Sequence, residues 1–282
     1  MASNVALQPI KDRGWFSGFG NIFSKWNHQW WGTRQWLILV AIGLVLINGL
    51  TLFISVVMPN SPAMKQAMQT MSASEAAELK TAYVQQGVNM FFIMSGMVAG
   101  MGVVIFAQDA LIGEKRTGTA AWLLSKPVSR TAFLLAKLAA DALGILGTIV
   151  IVQGAVGYLI LSRWAGLNYR ILDFLAAMGL VAMVLLFLLS LTYMLGAVSN
   201  ARGLVIGIPF ILVTFTQYQN MVPVMAKTMP WNLITDMRYA PSLAITLAKG
   251  EPLTFIPPII STAVMTVVFI AVAVWRMNRE EF

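Results

Sequence analysis

The sequence predicts an all-α integral membrane protein with six transmembrane helices. An N-terminal interfacial amphipathic helix precedes them, a short cytoplasmic helix lies between spans two and three, and short outer helices precede span six. Three observations carry this reading. Of 282 residues, 58% are hydrophobic and only 11% charged, where a soluble domain carries about 25% charged residues. The mean hydropathy is +0.75. Six apolar stretches approach the roughly 20 residues needed to cross a hydrocarbon core about 30 Å thick, and in lipid the backbone must satisfy itself within each segment, which makes them helices. The net charge of +8 is spread through the loops, so it marks topology and not a nucleic-acid surface. The absence of cysteine excludes a disulfide framework and thiolate metal sites.

Residues 1–35 read as a cytoplasmic tail and an interfacial helix. Phe16, Phe19, Phe23, Trp26 and Trp30 recur at steps of three and four, one apolar stripe on one helix. Flanked by Lys11, Arg13 and Arg34, this helix is expected in the headgroup layer; the alternative is a helix packed flat against neighbouring spans. His28, the sole histidine, has no ligand partners around it and reads as an interfacial polar residue. No cleavable signal peptide is predicted, because the first apolar run starts near Trp36 and is long enough to span.

Residues 36–275 form the transmembrane domain, with spans at 36–57, 88–107, 132–161, 174–198, 204–221 and 256–275. The outer loop 59–87 carries Ser72 and Glu75 at capping-box spacing, which predicts a helical hairpin. In span two, Met90, Met94, Met97 and Met101 share one face; they read either as a path for lipophilic cargo or as ordinary helix packing. Gly96 and Gly100 beside them admit a close neighbour. Span three is longer than a bilayer requires, and its Lys137 and Asp141, one turn apart, are expected to pair with each other. The connection 199–203 makes spans four and five antiparallel neighbours. In the outer loop 222–255, the apolar pieces 231–234 and 243–247 are too short to cross and are expected to dip into the outer interface. Pro257 and Pro258 suit the first turn of span six, and residues 276–282 form a cytoplasmic tail. With both termini in the cytoplasm, roughly twelve of the 19 Lys and Arg fall on that side, the bias expected of inner loops.

The most informative passage is the charged loop 108–131, continuing to Lys137. Residues 120–125 read as a short helix that Thr117 or Thr119 can cap and Pro127 stops. Gly113 and Gly118 have the spacing of a phosphate-binding loop, but the required lysine is missing. With no His-Glu-x-x-His, Gly-x-Ser-x-Gly or intramembrane aspartate pair, the chain reads as non-catalytic.

In this passage Glu114, Gly118, Thr119, Trp122, Leu123, Leu124, Ser125, Pro127, Ser129, Arg130, Phe133 and Lys137 resemble the cytoplasmic motif of ABC type 2 permeases. Ala121 stands where many members carry a second acidic residue. The resemblance implies a membrane subunit of an ATP-driven exporter, with two ABC ATPase subunits on the cytoplasmic side and a second permease copy or paralogue. ATP and Mg would bind the ATPase, and no cofactor or metal this chain. The setting would be a bacterial or archaeal plasma membrane, with lipid and no nucleic acid as further partners. It also implies that residues 113–126 form the coupling helix, with Glu114, Arg116, Gly118, Thr119, Trp122, Leu123, Ser125, Pro127 and Arg130 as the contact set for the ATPase. Trp122 and Leu123 are anchors of the kind that dominate interface energetics, and Glu114 is expected to pair with Arg130 or Lys137. The apolar spans suit an amphipathic or lipophilic cargo such as a drug-like compound, a peptide or a lipid. The competing readings are a scaffold or sensor subunit that transports nothing, and a passive channel, which would need a polar face that no span displays.

Overall fold

Helix α1, Phe19–Gly32, starts after Gly18, whose φ of 84° is a left-handed conformation that glycine adopts without strain. A Cβ at Gly18 would stand 2.7 Å from Val128 Cγ2, so the same glycine lets the chain entering span three lie against the N-terminal segment. The computed structural model describes residues 14–117, 128–214, 222–236 and 241–280, and among them every regular element is helical.

Five helical stretches are long and apolar enough to cross a membrane: Trp36–Gln69, Ala73–Arg116, Arg130–Trp164, Ile171–Val198 and Pro257–Arg279. The first is a helix over 35–57 (α2) and a short amphipathic helix Pro62–Gln69 (α3), separated where Ser61 turns extended and its side chain caps Met64. Span two, α4 (Ala73–Arg116), has 44 residues, about 66 Å at 1.5 Å per residue, twice the hydrocarbon thickness. Its first turns project beyond the spans and start at the expected capping box, in which Ser72 and Glu75 bond reciprocally. Its last turns, from Asp109 to Arg116, project at the opposite end. Span three is α5 (Arg130–Trp164) and span four is α6 (Ile171–Val198).

The predicted fifth span begins as helix α7, Arg202–Thr214, of 13 residues with Pro209 buried inside it; residues 215–221 of that prediction lie outside the described residues. Short elements follow: α8 (Pro223–Thr228), a 3₁₀ turn over Pro230–Leu233, and α9 (Leu243–Ala248), capped by Ser242. The last span, α10 (Pro257–Arg279), carries the two prolines in its first turn.

Span four is the hub. Two-thirds of its most apolar window, 67%, is buried in protein, against 28% for the first span and 17% for the last. It packs on α10, α4 and α9. The glycines of span two serve as predicted: Leu188 of α6 sits on Gly100, and Ile234, just after the 3₁₀ turn, sits on Gly96. The glycines of span three do likewise, with Trp30 on Gly144, Trp31 on Gly147, Met178 on Gly154 and Phe91 on Gly157. By contrast, no atom lies within 4 Å of a Cβ placed at Gly203 or Gly207.

Two expectations need correction. The aromatic stripe of α1 does not face lipid: Phe19, Phe23, Trp26 and Trp30 pack on the protein core along α5, because the glycine at 144 lets an indole lie directly on that helix. The apolar pieces after span five do not lie in the outer interface either. Pro230, Trp231, Asn232 and Leu233 are all buried, folded between α6 and α10, where Gly96 leaves the space for Ile234.

A polar contact absent from the sequence reading joins spans one and three. Asn48 Nδ2 donates to Gln153 Oε1 at 2.7 Å, and Gln153 Nε2 donates to the Val40 carbonyl at 3.1 Å. Both side chains are buried, and both helices widen into π turns there, over Leu44–Gly49 and Leu146–Gln153. A Cβ at Gly43 would lie 2.5 Å from Gln153 Nε2, so the glycine admits the amide. Such bonds between spans are worth about 0.6 to 2 kcal/mol. Gln153→Leu is therefore expected to lower the thermal midpoint in detergent by leaving Asn48 unpaired, and Asn48→Leu added to it to recover part of the loss.

Candidate functional site

The charged residues of the long loop and those of the chain ends converge at one end of the bundle. The foot of α4 is their meeting point. Glu114 Oε1 accepts from Lys137 Nζ of α5 at 3.2 Å. Lys115 Nζ lies 2.7 Å from Glu280 Oε2, an ion pair with the end of α10, and donates to the Ala197 carbonyl of α6 at 3.1 Å. Arg116 donates to the Asn200 carbonyl at 3.2 Å. Asp109 accepts from Arg202 of α7 at 2.6 Å. One helix foot thus ties spans three, four, five and six together.

Residue 128 onward is held from the other side. Ser129 caps α5 through its hydroxyl and donates that proton to the Trp15 carbonyl at 2.5 Å; its amide donates to the Ser17 carbonyl at 3.1 Å. Arg130 donates to the Asn278 carbonyl at 2.9 Å, and Thr131 bonds the Asn278 side chain. The segment entering α1 and the last turn of α10 therefore share this end of the bundle with the loop.

Lys137 departs from expectation in an instructive way. It does not pair with Asp141; Asp141 Oδ2 accepts instead from Tyr193 of α6 at 2.5 Å. The ammonium turns to Glu114 and the Ala110 carbonyl, at 2.5 Å, and lies 3.8 Å from the Trp26 ring centroid. Its side chain is only 6% exposed. Two acceptors on α4 and an aromatic face on α1 compensate the burial better than one carboxylate on the same helix. Of the two partners proposed for Glu114, the structure selects Lys137, since Arg130 is engaged with Asn278.

Among the sequence-predicted contact residues, Glu114, Arg116 and Arg130 thus flank the loop on its two sides. Gly118, Thr119, Trp122, Leu123, Ser125 and Pro127 lie outside the described residues. The methionines Met90, Met94, Met97 and Met101 are half-buried on span two; Met94, Met97 and Met101 pack on the core. Two cavities lie elsewhere. One of about 550 Å³ is apolar and sits between α5 and α6, lined by Gly154, Tyr158, Phe174 and Met178 among others. The other, of about 410 Å³, lies at the charged end between α1, α4 and α5.

Sequence reasoning missed Asp109, Arg202, Tyr193 and Glu280. A signal for three of them was present, since Asp109, Arg202 and Glu280 are charges at predicted span ends on one side. Tyr193 had none, lying within an unbroken apolar run.

A family model described as ABC-2 family transporter protein matches residues 57–275, from the end of the first span to the end of the last. No curated protein matches the chain.

Proposed function

We propose that this chain, which belongs to the ABC-2 family of transporter proteins, is the membrane subunit of an ATP-driven exporter whose ATPase is a separate chain. The family match over residues 57–275 carries this reading, and the charged end supplies its mechanism. Residues 118–127 are bracketed by Thr117 on α4 and Val128 before α5. A force applied to that loop enters α4 and α5 together, because Glu114 and Lys137 bond their feet, and reaches α6, α7 and α10 through Lys115, Arg116 and Asp109. In this reading 113–126 is the coupling helix and Trp122 its anchor in a groove of the ATPase. ATP and Mg belong to two such ATPase subunits, and a second permease copy or paralogue completes the transporter.

Six crossings fit the placement of the chain ends. Arg202 starts α7 at the charged end, and α10 returns to that end at Glu280, so the chain traverses the bundle between them. The 13 residues of α7 rise about 20 Å, and residues 215–221 would extend it across the remaining hydrocarbon thickness. The gathering of Lys115, Arg116, Arg130, Arg202, Arg276 and Arg279 near this end supports a cytoplasmic orientation by the positive-inside rule, with both termini on that side of a bacterial or archaeal plasma membrane. The cargo is read as amphipathic or lipophilic. The apolar cavity between α5 and α6 suits such a molecule, as does the alternative path along Met90, Met94, Met97 and Met101.

The test is co-purification with the ATPase, followed by ATP turnover with and without added cargo. Trp122→Ala is expected to weaken ATPase capture by about thirtyfold, the cost of about 2 kcal/mol typical of an aromatic anchor, and to abolish cargo-stimulated turnover. Turnover that ignores both cargo and Trp122 would identify a scaffold, and conduction without ATP a channel.

A further inference from the structure

The cavity of about 410 Å³ between α1, α4 and α5 contains polar atoms that the fold leaves unanswered. Lys137 is not among them, since a carbonyl, a carboxylate and an indole face already surround its ammonium. The indole Nε1 atoms of Trp26 and Trp30 and the second carboxylate oxygen of Glu114 are buried and have no hydrogen-bond partner among the described residues. All three side chains line this cavity. A structure normally satisfies buried polar atoms, so two donors and one anionic acceptor around one space describe a ligand that presents both acceptors and cationic donors.

Charge refines this. Asp109 is matched by Arg202 outside the cavity, which leaves Glu114 and Asp141 facing the single cation Lys137. Lys25, exposed on the helix beside Trp26, lies 5.2 Å from that ring. The interior therefore carries one carboxylate more than cations and favours a bound positive group. Location refines it further. The cavity is walled by α1, whose Trp15, Phe16 and Trp31 stay exposed, as aromatic residues do at the level of lipid headgroups.

We propose that this cavity binds the headgroup of an aminophospholipid from the adjacent leaflet, with the primary ammonium on Glu114 Oε2 and the phosphate on the Trp26 and Trp30 indoles. A choline headgroup lacks an N–H for Glu114, and a glycerol headgroup lacks the cation. The proposal rests on the geometry alone and stands whether or not the chain couples to an ATPase.

The experiment is native mass spectrometry of the delipidated full chain in detergent, offered equimolar phosphatidylethanolamine, phosphatidylcholine and phosphatidylglycerol. Phosphatidylethanolamine should be retained about tenfold over the other two, the effect of one hydrogen bond to a charged group. Trp26→Phe with Trp30→Phe should lower that retention severalfold, and Glu114→Gln should reduce phosphatidylethanolamine to the level of phosphatidylcholine. If Glu114→Gln fails to fold, the indole variants and the wild-type preference still decide. Equal retention of all three lipids by the wild type overturns the proposal. So does a preference that survives every variant, which would place the lipid elsewhere. Displacement of the lipid by an equal concentration of free phosphoethanolamine would make the ligand a soluble one and also overturn it.

Discussion

Glu114→Gln and Lys137→Met should each destabilise the protein by about 3 to 5 kcal/mol, the cost of leaving one member of a buried ion pair uncompensated, and the double variant should lose much less than their sum. Each single change exposes a different defect. Without Glu114, the ammonium of Lys137 keeps the Ala110 carbonyl and the Trp26 face but has no neutralising carboxylate at bonding distance. Without Lys137, Glu114 holds both oxygens buried with no donor, since Oε2 already lacks one. Thermal unfolding of the purified chain, run as a double-mutant cycle, measures the coupling. A cycle closing at zero would mean that the two groups do not meet. The specificity of the pair is tested by Arg130: Arg130→Glu should not rescue Glu114→Lys, because Arg130 bonds the Asn278 carbonyl. In the transporter, the single variants should uncouple cargo-stimulated ATP turnover more than basal turnover, since a broken bond lets α4 move without α5.

The pairing also shows what a sequence can and cannot disclose. Apolar length placed four of the six predicted spans on membrane-length helices that fall wholly within the described residues, and opened the last, because hydrophobic runs have few soluble explanations. The capping box at Ser72 and Glu75 and the prolines at 257 and 258 are local signals, and each appears where local physics put it. The partner of Lys137 was not local. Asp141 was one turn away on the same helix, yet Glu114, 23 residues back, won, and Tyr193, 52 residues on, took the carboxylate. One-turn spacing makes a pair geometrically available, but a buried ammonium is settled by the number of acceptors around it, which only packing reveals. The π turns of spans one and three had no sequence marker. Asn48 and Gln153 are separated by 105 residues, and neither looked unusual within its apolar run. The stripe of α1 was legible as a stripe, but its destination depended on Gly144, a single glycine in another span.

Trp231→Ala is expected to cost about 3 to 5 kcal/mol, the range for emptying a buried aromatic site, while Trp231→Phe should be close to neutral. The reason is the inward fold of the segment before the last span. Trp231 is 1% exposed, and its turn packs between α6 and α10 while Ile234 drops onto Gly96 of α4. Removing the whole ring leaves a void where three spans meet, and in a membrane, where apolar solvent surrounds the bundle, lost packing is the main cost of such a change. The indole Nε1, however, is buried without an acceptor, and an unanswered donor costs about 1 to 3 kcal/mol. Phenylalanine discards that penalty along with part of the ring volume, so the two effects offset. Thermal midpoints of the two variants in one detergent decide the matter. If phenylalanine damages the protein as much as alanine, the indole is bonded in the folded state and the segment does not sit as described. If alanine is harmless, the turn is not a packed element of the bundle. The expected contrast would establish that three sides of the transmembrane domain are held at this end by a segment too short to span, opposite the end where ion pairs tie the helix feet. A push on the loop at 118–127 would then pivot α4, α6 and α10 about a fixed apolar point instead of separating them.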